Sequence, residues 1–256
     1  MRLDQAIAAR FPDISRRRAR ELIASRRVLV NERAVSIASR EVSADDRVAV
    51  FEGVEGVPEI VVIRQTEDWI AVDKPAGMPT QPTRDRVERS LEELLRLQFH
   101  EIWLVHRLDT PTSGVVLFAR TREAAAELSE LFAAGAIKKT YVAKLEGVLA
   151  EERIVETPVQ GKSARTIFKP LHNTDSHTLT EAIIETGRTH QIRVHAASIG
   201  HPVAGDRRYG SGARAKRLML HAWKLEHPRF GVLEAPLPTS LSLSPAPDAS
   251  ERPSRR

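Results

Sequence analysis

The segment His106-Arg107-Leu108-Asp109-Thr110-Pro111-Thr112-Ser113-Gly114 runs directly into Val115-Val116-Leu117-Phe118-Ala119. An Arg and an Asp two residues apart stand ahead of a turn, and the turn opens an apolar strand. An Asp before a turn is ordinarily turn chemistry, so the triplet Arg107-Leu108-Asp109 alone decides nothing. Further along comes a second dense polar segment, Gly187-Arg188-Thr189-His190-Gln191-Ile192-Arg193-Val194-His195. Polar groups this closely spaced, set against apolar strand and helix, predict a built site with a carboxylate at its centre.

The chain has 256 residues, enough for one good core and a small second domain. Apolar residues make up 41% and charged residues 29%, the ordinary balance of a globular protein. No run is long and apolar enough to span a membrane as a helix. The start, Met1-Arg2-Leu3-Asp4-Gln5, lacks the apolar core of a signal peptide. The absence of Cys excludes disulfides and Cys-based metal sites. A cytoplasmic location is the simplest expectation.

The net charge of +5 is unevenly placed. Residues 1–50 hold 11 Arg and no Lys against seven acidic residues, a net +4, and the last six residues add +2. The stretch between is near neutral. An Arg-rich module beside a neutral one fits a nucleic-acid-binding appendage, although a solvated basic face gives the same count.

Residues 1–52 read as a small helix-then-strand unit. Leu3, Ile7 and Ala8 share a helical face, and Ser15 is placed to cap a second helix with Ala19, Leu22 and Ile23 inward. Arg16, Arg17 and Arg20 fan over an arc of about 100° beside that stripe. Val28-Leu29-Val30, a turn at Asn31-Glu32-Arg33, and Val35 predict a hairpin, closed by Val48-Ala49-Val50. Gly53 to Pro58 reads as a linker.

Beyond it, residues 59–241 read as a larger domain. Ile60 to Ile63 and Trp69 to Val72 have the pattern of buried strands, and Asp73 to Pro79 forms a loop. Ser90 and Glu93 form a capping box for a helix with Leu91, Leu94 and Leu95 inward. Thr121 caps a helix bearing Ala124, Leu128, Leu131 and Phe132 and stopped by Gly135. Tyr141 to Leu145 alternates as a strand. Thr189 is the expected cap of a further helix, with Ile192, Ala196 and Ile199 inward and Gly200 as its stop. His190 and Arg193 project from its other side. The Ser-, Pro- and Arg-rich tail, 242–256, is expected to be disordered.

Taken together the motifs resemble the pseudouridine synthases of the RluA type, enzymes of ribosomal large-subunit RNA. The resemblance rests on Asp73-Lys74-Pro75-Ala76-Gly77, His106-Arg107-Leu108-Asp109, Lys138-Lys139-Thr140-Tyr141, Gly187 to His195, His201-Pro202, Gly205-Asp206, Tyr209-Gly210 and Leu218 to Ala222. Residues 1–52 resemble the RNA-binding domain of ribosomal small-subunit protein four, through Arg2-Leu3-Asp4, Ser15 to Ala19 and Val28 to Asn31.

The resemblance implies an α+β catalytic domain, with a large mixed, mainly antiparallel sheet and a central cleft. It implies isomerisation of uridine in RNA, ribosomal RNA first and transfer RNA second, by a monomer that uses no cofactor and no metal. It makes Asp109 the catalytic carboxylate, Arg193 its partner, and Tyr141 the ring against the flipped uracil. Leu220 becomes an apolar wall of the uracil pocket. Arg107 is either a wedge in the gap left by the flipped base or a salt-bridge partner of Asp109. Lys74 is either a phosphate contact or a surface charge, while His106 and His190 hold the motif together beside the substrate. Arg16, Arg17 and Arg20 would lie along phosphates. His190, His195 and His201 have the wrong spacing for one helical metal face. Two rival readings stay open: a non-catalytic RNA-binding or ribosome-assembly protein on the same fold, and a glycoside hydrolase, which would need a second acid near the site. Asp206 is the acid nearest that description, and otherwise reads as a turn residue.

Overall fold

A computed structural model of the chain describes residues 1–24, 28–31, 33–50, 60–82, 90–99, 101–210 and 215–242. The expected linker and the tail beyond Ser242 lie outside them.

The first unit places α1 (Leu3–Arg10) and α2 (Arg16–Ala24) beside a three-stranded antiparallel sheet of β1 (Val28–Val30), β2 (Arg33–Ala34) and β3 (Val48–Val50), in the order β2-β1-β3. Leu3, Ile7, Leu22, Ile23, Val28 and Val30 fill its core. The Ser15 hydroxyl accepts the Arg18 N–H at 3.2 Å, so the expected cap starts α2.

The second unit carries β4 (Val61–Gln65), β5 (Trp69–Lys74), α3 (Leu91–Gln98), β6 (Trp103–Leu104), β7 (Ser113–Ala119), α4 (Arg122–Ala133) and β8 (Lys138–Glu146). It continues through β9 (Arg153–Val155), β10 (Thr166–Asn173), β11 (His177–Ile184), α5 (Gln191–Ser198), β12 (Leu220–His227) and β13 (Gly231–Glu234). The ten strands form one sheet, ordered β4-β5-β7-β12-β8-β11-β10-β9, with β13 on β12 and β6 on β7. Every pair is antiparallel except β7 with β12, so the sheet is mixed and mainly antiparallel as expected. The pattern at 60–63 misleads: β4 is an edge strand paired on one side, and Val61 is 50% exposed. β7, by contrast, is buried along its whole length.

Two apolar clusters flank the parallel seam. One packs Val72, Leu95, Val116, Phe118 and Leu128, and the other Leu145, Phe168, Ala182 and Ile192. Burying Phe118 or Phe168 contributes roughly 1.5–3 kcal/mol each. Tyr141 packs against both clusters, which places it where the two halves of the sheet meet.

Candidate active site

Asp109 lies in the turn between β6 and β7, whose backbone is fixed on both sides. Its own carbonyl accepts the Thr112 N–H at 3.0 Å. The Thr80 hydroxyl donates to the Leu108 carbonyl at 2.8 Å and accepts the Leu108 N–H at 3.2 Å. On the other side the Thr110 carbonyl accepts the Gly77 N–H at 2.8 Å and the Lys74 ammonium at 3.2 Å. With its neighbours anchored, the Asp109 carboxylate is aimed into a cleft of about 80 Å³.

α5 supplies the facing wall. The Gln191 side chain accepts the Arg188 N–H and the Thr186 hydroxyl, and donates to the Arg165 carbonyl and the Thr166 hydroxyl, which pins the segment before the helix. The N-cap is His190, in left-handed conformation at φ +59°, with no side-chain cap. The expected Thr189 cap is therefore displaced by one residue. A positive φ outside glycine is uncommon and here turns the imidazole toward the cleft. His190 Nε2 lies 3.6 Å from Asp109 Oδ2, while its Nδ1 lies 3.0 Å from the Tyr209 hydroxyl. Burial, only partly offset by Asp109, pushes the His190 pKa down.

Arg193, in the first turn of α5, is 6% exposed. Its Nε and Nη2 donate to the two oxygens of Asp206 at 2.7 and 2.8 Å, and its Nη1 stands 3.5 Å from Asp109 Oδ2. Burial would lift the Asp206 carboxyl, but the Arg193 guanidinium and the N–H groups of Arg208 and Tyr209 outweigh it and hold the pKa below the usual range. Tyr141 and Leu220 complete the cleft with Ile184 and Ile192, and Arg107 stands exposed at its rim. Burial, reinforced by Asp109, pushes the Tyr141 hydroxyl pKa up, so the phenol keeps its proton at neutral pH.

A family model described as RNA pseudouridylate synthase matches residues 68–198, half of the chain, including Asp109, Tyr141 and Arg193. The chain belongs to the RNA pseudouridylate synthase family. A second model, the S4 domain, matches residues 1–48. A relative from Nitrosomonas europaea, named ribosomal large subunit pseudouridine synthase D, is 32% identical over 94% of this chain and 83% of its own length. A relative of the same name from Escherichia coli K12 is 30% identical over 94% and 88%. The solved structure of human RNA pseudouridylate synthase domain containing 1 superposes with a TM-score of 0.60 at 28% identity, over 70% of this chain and 83% of that one. As an RNA pseudouridine synthase, the protein is an isomerase that converts uridine in RNA to pseudouridine.

Within this pseudouridine synthase several expected residues sit elsewhere than the sequence suggested. His106 points away from the cleft. Its Nε2 accepts the Leu117 N–H at 2.9 Å and its ring stacks on Phe132, so it ties the turn that carries Asp109 to β7 and α4. Burial pushes its pKa down to about 3, which keeps it the neutral acceptor this bond needs. Lys74 is neither a phosphate contact nor a surface charge. It is fully buried, and its Nζ donates to the carbonyls of Pro75, Met78 and Thr110. Burial, opposed by Asp109 and Asp73, pushes its pKa down to about 7. No ion pair joins Arg107 to Asp109 among the described residues.

Asp206 is more than a turn residue, and Tyr209 faces the site although sequence reasoning gave it no role. Their only signals in the sequence are the Gly-Asp and Tyr-Gly pairs. His195 and His201 are engaged separately, His195 with Thr166 and Thr157, His201 with the Glu146 carbonyl. In the first unit Arg16 and Arg20 do not fan freely. Their Nε atoms donate to Asp4 Oδ2 at 3.0 and 2.9 Å, and Arg17 pairs with Glu21. Asp4 is fully buried; burial would raise its pKa, but Arg20 and Arg16 bring it to about 2.

Proposed function

We propose that this enzyme acts on ribosomal RNA and that Asp109 is its catalytic carboxylate. The observation that carries the reading is one carboxylate aimed into the cleft and faced by Arg193 and His190 at 3.5 and 3.6 Å, between Tyr141 and Leu220. The reaction exchanges bonds within one nucleotide. The bond from ribose C1′ to ring N1 breaks, a bond from C1′ to C5 forms, the C5 proton leaves, and N1 takes one up. The demand on the protein is a carboxylate beside the sugar carbon, adding to C1′, adding to the ring, or assisting elimination. The flipped uracil lies on the Tyr141 face with Leu220 as its apolar wall, and Arg107 at the rim fills the vacated stack.

Ribosomal RNA is supported by the names of the relatives and by the Arg-rich S4 domain. In this reading residues 1–52 hold RNA through Arg16, Arg17 and Arg20, whose side chains all remain exposed, Arg17 the most. Residues 59–241 are the catalytic domain. The reading includes a monomer acting in the cytoplasm without cofactor or metal. Among the described residues no helix is long and apolar enough to cross a membrane. The test is pseudouridine mapping of cellular RNA with and without the gene. One or a few ribosomal positions should lose the modification, regain it with the parent enzyme, and not with Asp109→Asn. Unchanged ribosomal RNA would reject the assignment.

A further inference from the structure

We infer that Asp206 is a positioning residue of the reaction: it holds the Arg193 guanidinium by two of its N–H edges and so keeps the oxygens of Asp109 open toward the substrate. The inference rests on the reading of Asp109 as the catalytic carboxylate.

The geometry is asymmetric. Arg193 gives Asp206 two short hydrogen bonds, 2.7 and 2.8 Å, and gives Asp109 one contact at 3.5 Å. A guanidinium presents a fixed planar fork that matches a carboxylate bidentately. Two carboxylates compete for that fork, and Asp206 holds it. Were Asp206 absent, the same fork would close on Asp109 and cover the oxygens that must reach the sugar. Asp206 is itself immobile. It is 1% exposed, and its Oδ1 also accepts the N–H groups of Arg208 and Tyr209 at 2.9 and 3.1 Å.

The loop that carries it is locked by close backbone approach. Gly205 has φ +78°, and a Cβ there would stand 2.1 Å from the Arg217 carbonyl oxygen. The same loop sends the Tyr209 ring beneath Arg193, 5.2 Å from guanidinium carbon to ring centroid, and the Tyr209 hydroxyl to His190. Both groups that face Asp109 are thus held from residues 205–210. A residue whose only task were folding would not need to bind a cation that also touches Asp109.

The test is a double-mutant cycle in the full-length enzyme on its RNA, read as single-turnover rate at saturating enzyme, RNA affinity and melting temperature. Asp206→Asn is expected to slow conversion by at least tenfold, with RNA affinity changed less than about twofold. Arg193→Lys keeps the charge and loses the fork. In that background Asp206→Asn should cost less than about threefold, because its route to Asp109 is already cut. A parent-like rate for Asp206→Asn, or costs that multiply in the double variant, would overturn the inference. If Asp206→Asn shows no cooperative melt, Asp206→Glu decides. It keeps the charge but shifts it by one methylene, and is expected to be slow with RNA affinity retained. Parent-like turnover in Asp206→Glu would overturn the inference equally. Asp109→Asn is run alongside: if that variant turns over, the catalytic assignment itself has failed, whatever the cycle shows.

Discussion

The ammonium of Lys74, fully buried at the end of β5, reaches 3.2 Å across to the carbonyl of Thr110, the residue after Asp109. Two further carbonyls, of Pro75 and Met78, take its remaining N–H groups, so one side chain fastens the 75–82 loop to the Asp109 turn. Lys74→Met keeps the stem and removes the donors. Three part-buried carbonyls then lose a partner; that of Thr110 keeps the Gly77 N–H, and those of Pro75 and Met78 cost about 1–3 kcal/mol each where left unsatisfied. The expected outcome is a lower melting temperature together with slower single-turnover conversion. A variant that melts earlier but converts RNA at the parent rate would detach Lys74 from the site.

Asp109→Asn is expected to bind RNA almost as the parent does and to convert none of it. The change keeps the shape and removes the charge to which the proposed mechanism assigns the exchange at C1′. Filter binding and tritium release on the same preparations measure the two properties. Conversion at any sizeable fraction of the parent rate would show that another group carries the chemistry.

Tyr141→Phe and Tyr141→Ala separate stacking from proton handling. Phe keeps the aromatic face that packs between the two apolar clusters, and Ala loses it, at about 1–3 kcal/mol for one stacked base. Because burial and Asp109 hold the phenol protonated, its hydroxyl is available as a donor near the ring. Tyr141→Phe is therefore expected to bind RNA normally and fail in single-turnover conversion. Full activity in Phe with loss in Ala would restrict the side chain to stacking.

Gly114 lies in the parallel contact of β7 with β12, opposite Ala222. A Cβ at Gly114 would stand 2.1 Å from the Ala222 carbonyl oxygen, and φ is +118°. Gly114→Ala must push the β7–β12 seam apart, and is expected to cost about 1–3 kcal/mol. Urea unfolding measures it, and a midpoint within error of the parent would contradict the close packing of the seam.

His221 is fully buried beside Ser113, and burial pushes its pKa down to about 4. The unfolded chain takes up this proton near the ordinary value of 6.5, before the folded one does. Stability is therefore retained above pH 6.5 and falls as the pH drops toward 4, by roughly 3 kcal/mol from this residue. His106, held near 3, adds a loss of its own from pH 6.5 downward and carries it to lower pH. Unfolding free energies from pH 7 to 4 should show the decline, and His221→Asn should make it shallower, leaving the part due to His106. Identical slopes in parent and variant would assign the decline to other groups.

The sequence by itself determined whatever a few neighbouring residues settle. The capping box of Ser90 and Glu93 starts α3, Thr121 starts α4, and the apolar run after Gly114 is a fully buried strand, because caps and periodicity act over one or two turns of chain. The motifs that resemble the family also marked Asp109, Tyr141, Arg193 and Leu220, which the fold brings to one cleft. What only the tertiary structure decided is which partner each polar group finds. Lys74 turns inward onto the Pro75 and Met78 carbonyls and onto Thr110, an acceptor 36 residues away, and His106 turns from the cleft because the Leu117 N–H and the Phe132 ring stand behind it. Val61 is exposed because β4 became a sheet edge, which an apolar run does not reveal. Asp206 reads in sequence as a turn residue between Gly205 and Arg207. It became the holder of Arg193 because α5 and the 205–210 loop bury both charges together, where an unpaired charge is too costly to persist.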